Sequence, residues 1–171
     1  MIGPAHDGIL AALGQGLPGL RDVLGYGTAE GLATPAAVLN LAGVEPADEP
    51  EDGSGRLAVR CRWELFLVMA SRTPGVGRKL RELAGASAAL VQGNRFGLAA
   101  PPARFVLAEP NEFEPSWKGA ESWRVEFEQV VYLGANVWDG EGVMPETVLV
   151  SHTPLIGLEH EGEYEEVPGE F

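Results

Sequence analysis

The chain is short of three things that build chemistry. It has one cysteine and three histidines among its 171 residues. A single thiol, Cys61, excludes an internal disulfide framework and a multi-cysteine metal site. No apolar run approaches the roughly 18–20 residues of a membrane span. The first residues, MIGPAHDG, lack the basic stretch and long apolar stretch of a secretory leader. These features predict a protein of a reducing, soluble compartment. Positive charge is also scarce, with 12 Lys and Arg against 25 Asp and Glu and a formal net charge of −13. That balance argues against a wide basic surface gripping nucleic acid, and against docking on anionic lipid.

The acidity is uneven. Residues 134–171 carry nine acids and no Lys or Arg, whereas the first 133 carry sixteen acids and twelve bases. The tail thus holds −9 of the net charge and the remainder −4. A second cluster is Glu45, Asp48, Glu49, Glu51 and Asp52. Apolar residues make up 45% of the chain, enough for a core in one domain. With 23 Gly and 13 Pro the chain is rich in loops without being of low complexity.

Hydrophobic period assigns the elements. Ile9, Leu13, Leu17, Leu20 and Leu24 recur at helical spacing and predict a helix over residues 7–24, with Asp7 as its cap. The glycines and Pro18 point to a break near 15–19. PAAVLNLA (35–42) is the size of a buried strand, and 43–55 reads as a long acidic connection. Residues 56–70 alternate strictly at first. Leu57, Val59, Cys61, Trp63, Leu65, Leu67 and Met69 share one face, and Arg60, Arg62 and Glu64 share the other, which turns apolar at Phe66 and Val68. That second apolar stretch predicts a cover, or a partner chain. Thr73-Pro74 predicts the cap and first residue of a helix over 74–92, ended by Gln92-Gly93-Asn94. Strands are predicted at 103–108 and 122–133, with a short one at 147–150, and Trp117 falls in an exposed loop.

The expected fold is α+β. A mainly antiparallel four-stranded sheet packs with two helices (residues 1–135), followed by an acidic C-terminal arm (136–171).

Catalytic signals are weak. SRTPGVGRKL (71–80) follows a strand and opens a helix but lacks phosphate-loop spacing, and GYGTAEG (25–31) follows a helix. Both read as turns. No serine sits in a G-x-S-x-G setting, and Cys61 lies on an apolar strand face, where a thiol is inert packing. His152 and His160 lie among acids, which leaves a small metal-dependent hydrolase as an alternative, although an extended acidic tail does not converge ligands on one point. Arg78, Lys79 and Arg81 form the one local basic cluster, either a solvated helix face or a contact with the acidic loop or tail of a neighbouring copy.

The layout resembles a known family. The residues that carry the likeness are a first helix with the pattern Leu17-Pro18-Gly19-Leu20, PAAVLNLA, an acid- and glycine-containing excursion, and the long strand LAVRCRWELFLVMAS. A small-residue helix ending Leu90-Val91-Gln92-Gly93-Asn94 and a Trp-x-Val-x-Phe-x-Gln strand follow. In this order they are similar to the tail terminator, or tail completion, proteins of Mu-like contractile-tail phages and phage-derived particles, over about residues 5–135. The resemblance implies a homohexameric ring that caps the tail tube, ends polymerisation, anchors the last sheath layer and meets the neck or head connector. It implies no enzyme activity, cofactor or metal, and a virion component made in the bacterial cytoplasm. Another neck or head–tail joining protein is the nearest alternative. On this reading DNA passes the channel without specific binding, and Glu45, Asp48, Glu49, Glu51 and Asp52 are candidate lining residues that repel phosphate. Arg78, Lys79, Arg81, Trp138 and Tyr164 are candidate contacts with other subunits or partners. The arm lies outside the resemblance, and with Val137, Trp138, Leu155, Ile156 and Tyr164 among its acids it is a candidate clamp on a basic sheath or neck surface.

Overall fold

A computed structural model describes residues 2–26, 31–48, 53–111, 119–139 and 147–167. The chain divides into two compact units, residues 1–135 and 136–171.

The first unit is α+β. Helix α1 (Ile2–Gly16) leads to strand β1 (Asp22–Gly25), β2 (Ala36–Pro46) and β3 (Leu57–Ala70). Helix α2 (Val76–Val91) precedes β4 (Arg104–Pro110) and β5 (Ala120–Leu133). The sheet has five strands in the order β1-β2-β3-β5-β4. Its β1–β2 pair is parallel and the other pairs are antiparallel. The sheet is therefore mixed, where four antiparallel strands were expected. The fifth strand comes from the predicted first helix, which stops at Gly16. Leu17-Pro18-Gly19 turns the chain, and Val23 and Leu24 then pair with Ala37 and Val38. Leu20 and Leu24 keep helical spacing by coincidence, because Pro18 supplies no amide hydrogen to carry the helix through the turn.

Both helices contribute to one core. Ala5, Ile9 and Leu13 of α1 and Leu80, Ala84 and Val91 of α2 join the odd residues Val59–Met69 of β3, Ala37 and Leu39 of β2, and Val125, Phe127 and Val131 of β5. Trp63 and Phe127 are its largest fully buried side chains. β3 and β5 pair in register along all fourteen residues of each, from Leu57↔Leu133 to Ala70↔Ala120. They form the spine of the unit.

Two local expectations change. α2 begins one residue after Gly75, whose φ of 70° places it in the left-handed region open to glycine, and no side chain caps the helix. Thr73 instead closes a turn, accepting from the Val76 amide through its carbonyl at 3.1 Å. β2 also runs on through Glu45 and Pro46, past a register shift between Leu41 and Gly43. The start of the expected acidic loop is therefore sheet.

The second apolar face of β3 is covered by the chain itself. Phe66 is 8% exposed and Val68 2%, so their burial requires no neighbouring copy.

The second unit is slight. β6 (Leu149–Val150) pairs antiparallel with β7 (Glu165–Glu166), and a 3-10 turn spans Leu158–Glu163. The Gly157 amide donates to the Tyr164 hydroxyl at 2.9 Å. Among the described residues of this unit, none is buried.

Candidate partner-binding surfaces

Away from the helices, the sheet presents a field of paired charge. Alternation on β3 and β5 turns Arg60, Arg62 and Glu64 outward beside Arg124, Glu126 and Glu128. Arg124 donates to Glu64 at 2.7 Å and to Glu109 of β4 at 2.5 Å. Arg62 lies 3.7 Å from Glu45 and 3.9 Å from Glu126. Arg60 lies 3.7 Å from Asp48 and 3.9 Å from Glu128, and Arg104 donates to Glu128 at 2.7 Å. Four arginines thus meet six carboxylates across four strands. The hydrogen bond from Arg124 to Glu109, with that to Glu64 behind it, holds the Arg124 guanidinium above its ordinary pKa.

This network is what the sequence reading missed. The outward residues were legible from the alternation, but their pairing depends on which strands are neighbours. Two of the five acids expected to line a channel belong to it. Glu45 sits on β2 against Arg62, and Asp48 lies against Arg60. Glu49, Glu51 and Asp52 lie outside the described residues, as does Trp117.

The basic cluster behaves differently from one residue to the next. Arg78 and Lys79 are exposed on α2. Arg78 donates to Glu82 one turn on at 2.8 Å, a bond that raises its pKa further. Arg81 is folded back. Its Nη1 donates to the Gly77 carbonyl at 2.7 Å, and the guanidinium lies 5.4 Å from the centre of the Trp123 ring. Lys79 has no ion-pair partner among the described residues. Behind these cations the exposed side of α2 carries Gly85, Ala86 and Ala89.

The arm exposes its apolar residues. Leu158 is 88% exposed and Trp138 77%, and Leu149, Leu155 and Ile156 are also exposed. Leu149, Gly157, Leu158, Glu161 and Tyr164 surround a groove of about 660 Å³. Tyr164 is half-buried there, its hydroxyl held by Gly157. Trp138 lies on a turn in which its amide donates to Asn136 Oδ1 at 3.1 Å.

Among the described residues no other constellation gathers. Among the described residues no three His, Cys, Asp or Glu side chains converge in a manner that holds a metal ion, His152 and His160 included. Cys61 is fully buried, and burial pushes its thiol pKa up, away from reactivity. His6 stacks on Tyr26 with ring centres 4.9 Å apart. A smaller cleft of about 210 Å³ runs between Arg60, Arg104, Glu128 and Gln129, its cations already paired to Glu128. No described helix is long and apolar enough to cross a membrane. Comparison with protein-family models and with characterised proteins returns no match to this chain.

Proposed function

We propose that this chain is a structural subunit of a phage-type tail. Copies form a homohexameric ring that caps the tail tube, ends its polymerisation, and joins tube and sheath to the neck or head connector. The observation that carries the reading is the order and length of the elements. A helix ending at Gly16 is followed by Leu17-Pro18-Gly19-Leu20, a short strand, an apolar strand and an acidic excursion, then by a fourteen-residue strand, a small-residue helix and two further strands. The likeness in layout to tail terminators lies in this succession.

Three surfaces support an assembling protein. The outward sheet face carries a network of paired charge, α2 offers exposed Arg78 and Lys79, and the arm offers apolar groups on an acidic background. Acids in excess over arginines on the sheet face, together with the acidic connection after β2, suit a wall past which DNA moves without sticking. The reading assigns no catalytic residue, cofactor or metal. The test is the mass of the assembly on tail tubes. Six copies at the tube end are expected, and cross-linking to the tube protein separates a terminator from a joining protein that touches only the connector.

A further inference from the structure

We propose that the arm of one copy lies on the exposed face of α2 of a neighbouring copy, with the groove around Leu158 closing over the small residues and the glutamates facing Arg78 and Lys79. The proposal rests on the ring reading and gives it a specific contact between subunits.

The arm needs a cover that it does not make itself. None of its described residues is buried, and Leu158 at 88% and Ile156 at 52% face solvent. A segment of this size is below the roughly 40 residues at which a chain sustains its own core. Its groove of about 660 Å³ is lined by Leu149, Gly157, Leu158 and Tyr164 together with the acid Glu161. That lining suits an apolar surface with a cation beside it.

Charge narrows the choice of surface. Residues 134–171 hold nine acids and no Lys or Arg, so an acidic cover is repelled. The outward face of the sheet is excluded on this ground, because its four arginines are already engaged by six carboxylates. α1 presents Asp7 and no Lys or Arg. α2 fits. Lys79 is without an ion-pair partner among the described residues, and Arg78 has only the exposed Glu82. Gly85, Ala86 and Ala89 then continue the same exposed side. A Cβ built on Gly85 meets nothing within 4 Å, so this stretch is low and open to close approach. The ring reading supplies the neighbouring copy, and only a contact between copies joins two differently tagged chains.

The test uses two differently tagged forms of the full chain, one with Leu158→Cys and one with Ala86→Cys, mixed at equal concentration under mild oxidation. All the altered positions are exposed, and the native Cys61 is buried and does not compete. A disulfide between the two tags is expected roughly tenfold or more faster than for a control pair in which Gln15→Cys replaces the change at Ala86. Arg78→Glu with Lys79→Glu in the α2 copy is expected to reduce the rate to that of the control. Glu159→Lys, Glu161→Lys and Glu163→Lys in the arm copy are expected to restore it. A rate equal to the control, or one indifferent to these reversals, overturns the contact. Hexamers measured by mass alongside a control-level rate overturn the arm contact and leave the ring standing. A control-level rate with no assembly on tail tubes overturns both.

Discussion

Arg124 of β5 bonds Glu64 of β3 across a diagonal of the sheet. Its Nη1 donates to Oε1 at 2.7 Å, although the ladder sets Arg124 opposite Phe66 and Glu64 opposite Glu126. The same guanidinium reaches Glu109 on β4. One side chain thus ties three strands on the face that the helices leave uncovered. Arg124→Ala leaves Glu64, Glu109 and, at 3.9 Å, Glu126 without this cation. The expected cost is about 1–2 kcal/mol in urea unfolding, the lower end applying because the group is 30% exposed and screened. The difference between wild type and variant should shrink in 1 M salt. An unchanged midpoint at low salt would show the clamp to be ornamental.

Two glycines of α1 predict opposite signs for one substitution. A Cβ on Gly8 meets the Phe96 carbonyl oxygen at 2.3 Å, whereas a Cβ on Gly14 meets nothing within 4 Å. Gly8→Ala forces α1 away from the backbone near Phe96 and should cost about 1–3 kcal/mol. Gly14→Ala relieves the unfolded chain of entropy and should stabilise by about 0.5–1 kcal/mol. Thermal unfolding of the two variants checks both, and equal shifts contradict the helix placement.

Cys61 gives a dependence on pH. Burial raises its pKa, so the folded protein holds this proton at a pH where the unfolded chain, near 8.5, has begun to lose it. The unfolded state then binds fewer protons, and stability falls as pH rises from about 8.5 through the folded value. Melting temperature should decline more steeply over pH 8–10 for wild type than for Cys61→Ala. A disulfide reagent should label the thiol only after unfolding, and rapid labelling of the native protein contradicts its burial.

The arm is predicted to serve attachment and to be dispensable for the fold. Ala135 ends a unit with its own core, and the following residues add no buried side chain among those described. Deleting 136–171 should leave a cooperative thermal transition and an unchanged circular dichroism band for the sheet, while reducing retention on assembled particles. Loss of the transition refutes the division.

Much of this was legible from period alone. The alternation that opens residues 57–69 located β3, and that of 122–133 located β5, because both strands bury one face and carry charge along part of the other. α2 was located by Thr73-Pro74 before it and Gln92-Gly93-Asn94 after it. What escaped lay where local chemistry misleads. Leu20 and Leu24 continue a helical spacing beyond Pro18, which concealed β1. Glu45 and Pro46 look like loop, yet their strand partners Arg60 and Val59 hold them in the sheet. Among the candidate contacts, the sequence grouped Arg78, Lys79 and Arg81 but did not reveal that Arg81 is turned back onto Gly77 and Trp123. Pairing on the sheet face was hidden for a related reason, since strand order is a property of the whole chain.

The direct measurement is the length of tail tubes in particles assembled without this chain, compared by electron microscopy with particles that contain it. A ring cap that ends polymerisation predicts tubes of uncontrolled, extended length in its absence and a single uniform length when it is restored. Tubes of normal, uniform length without the chain would contradict the role.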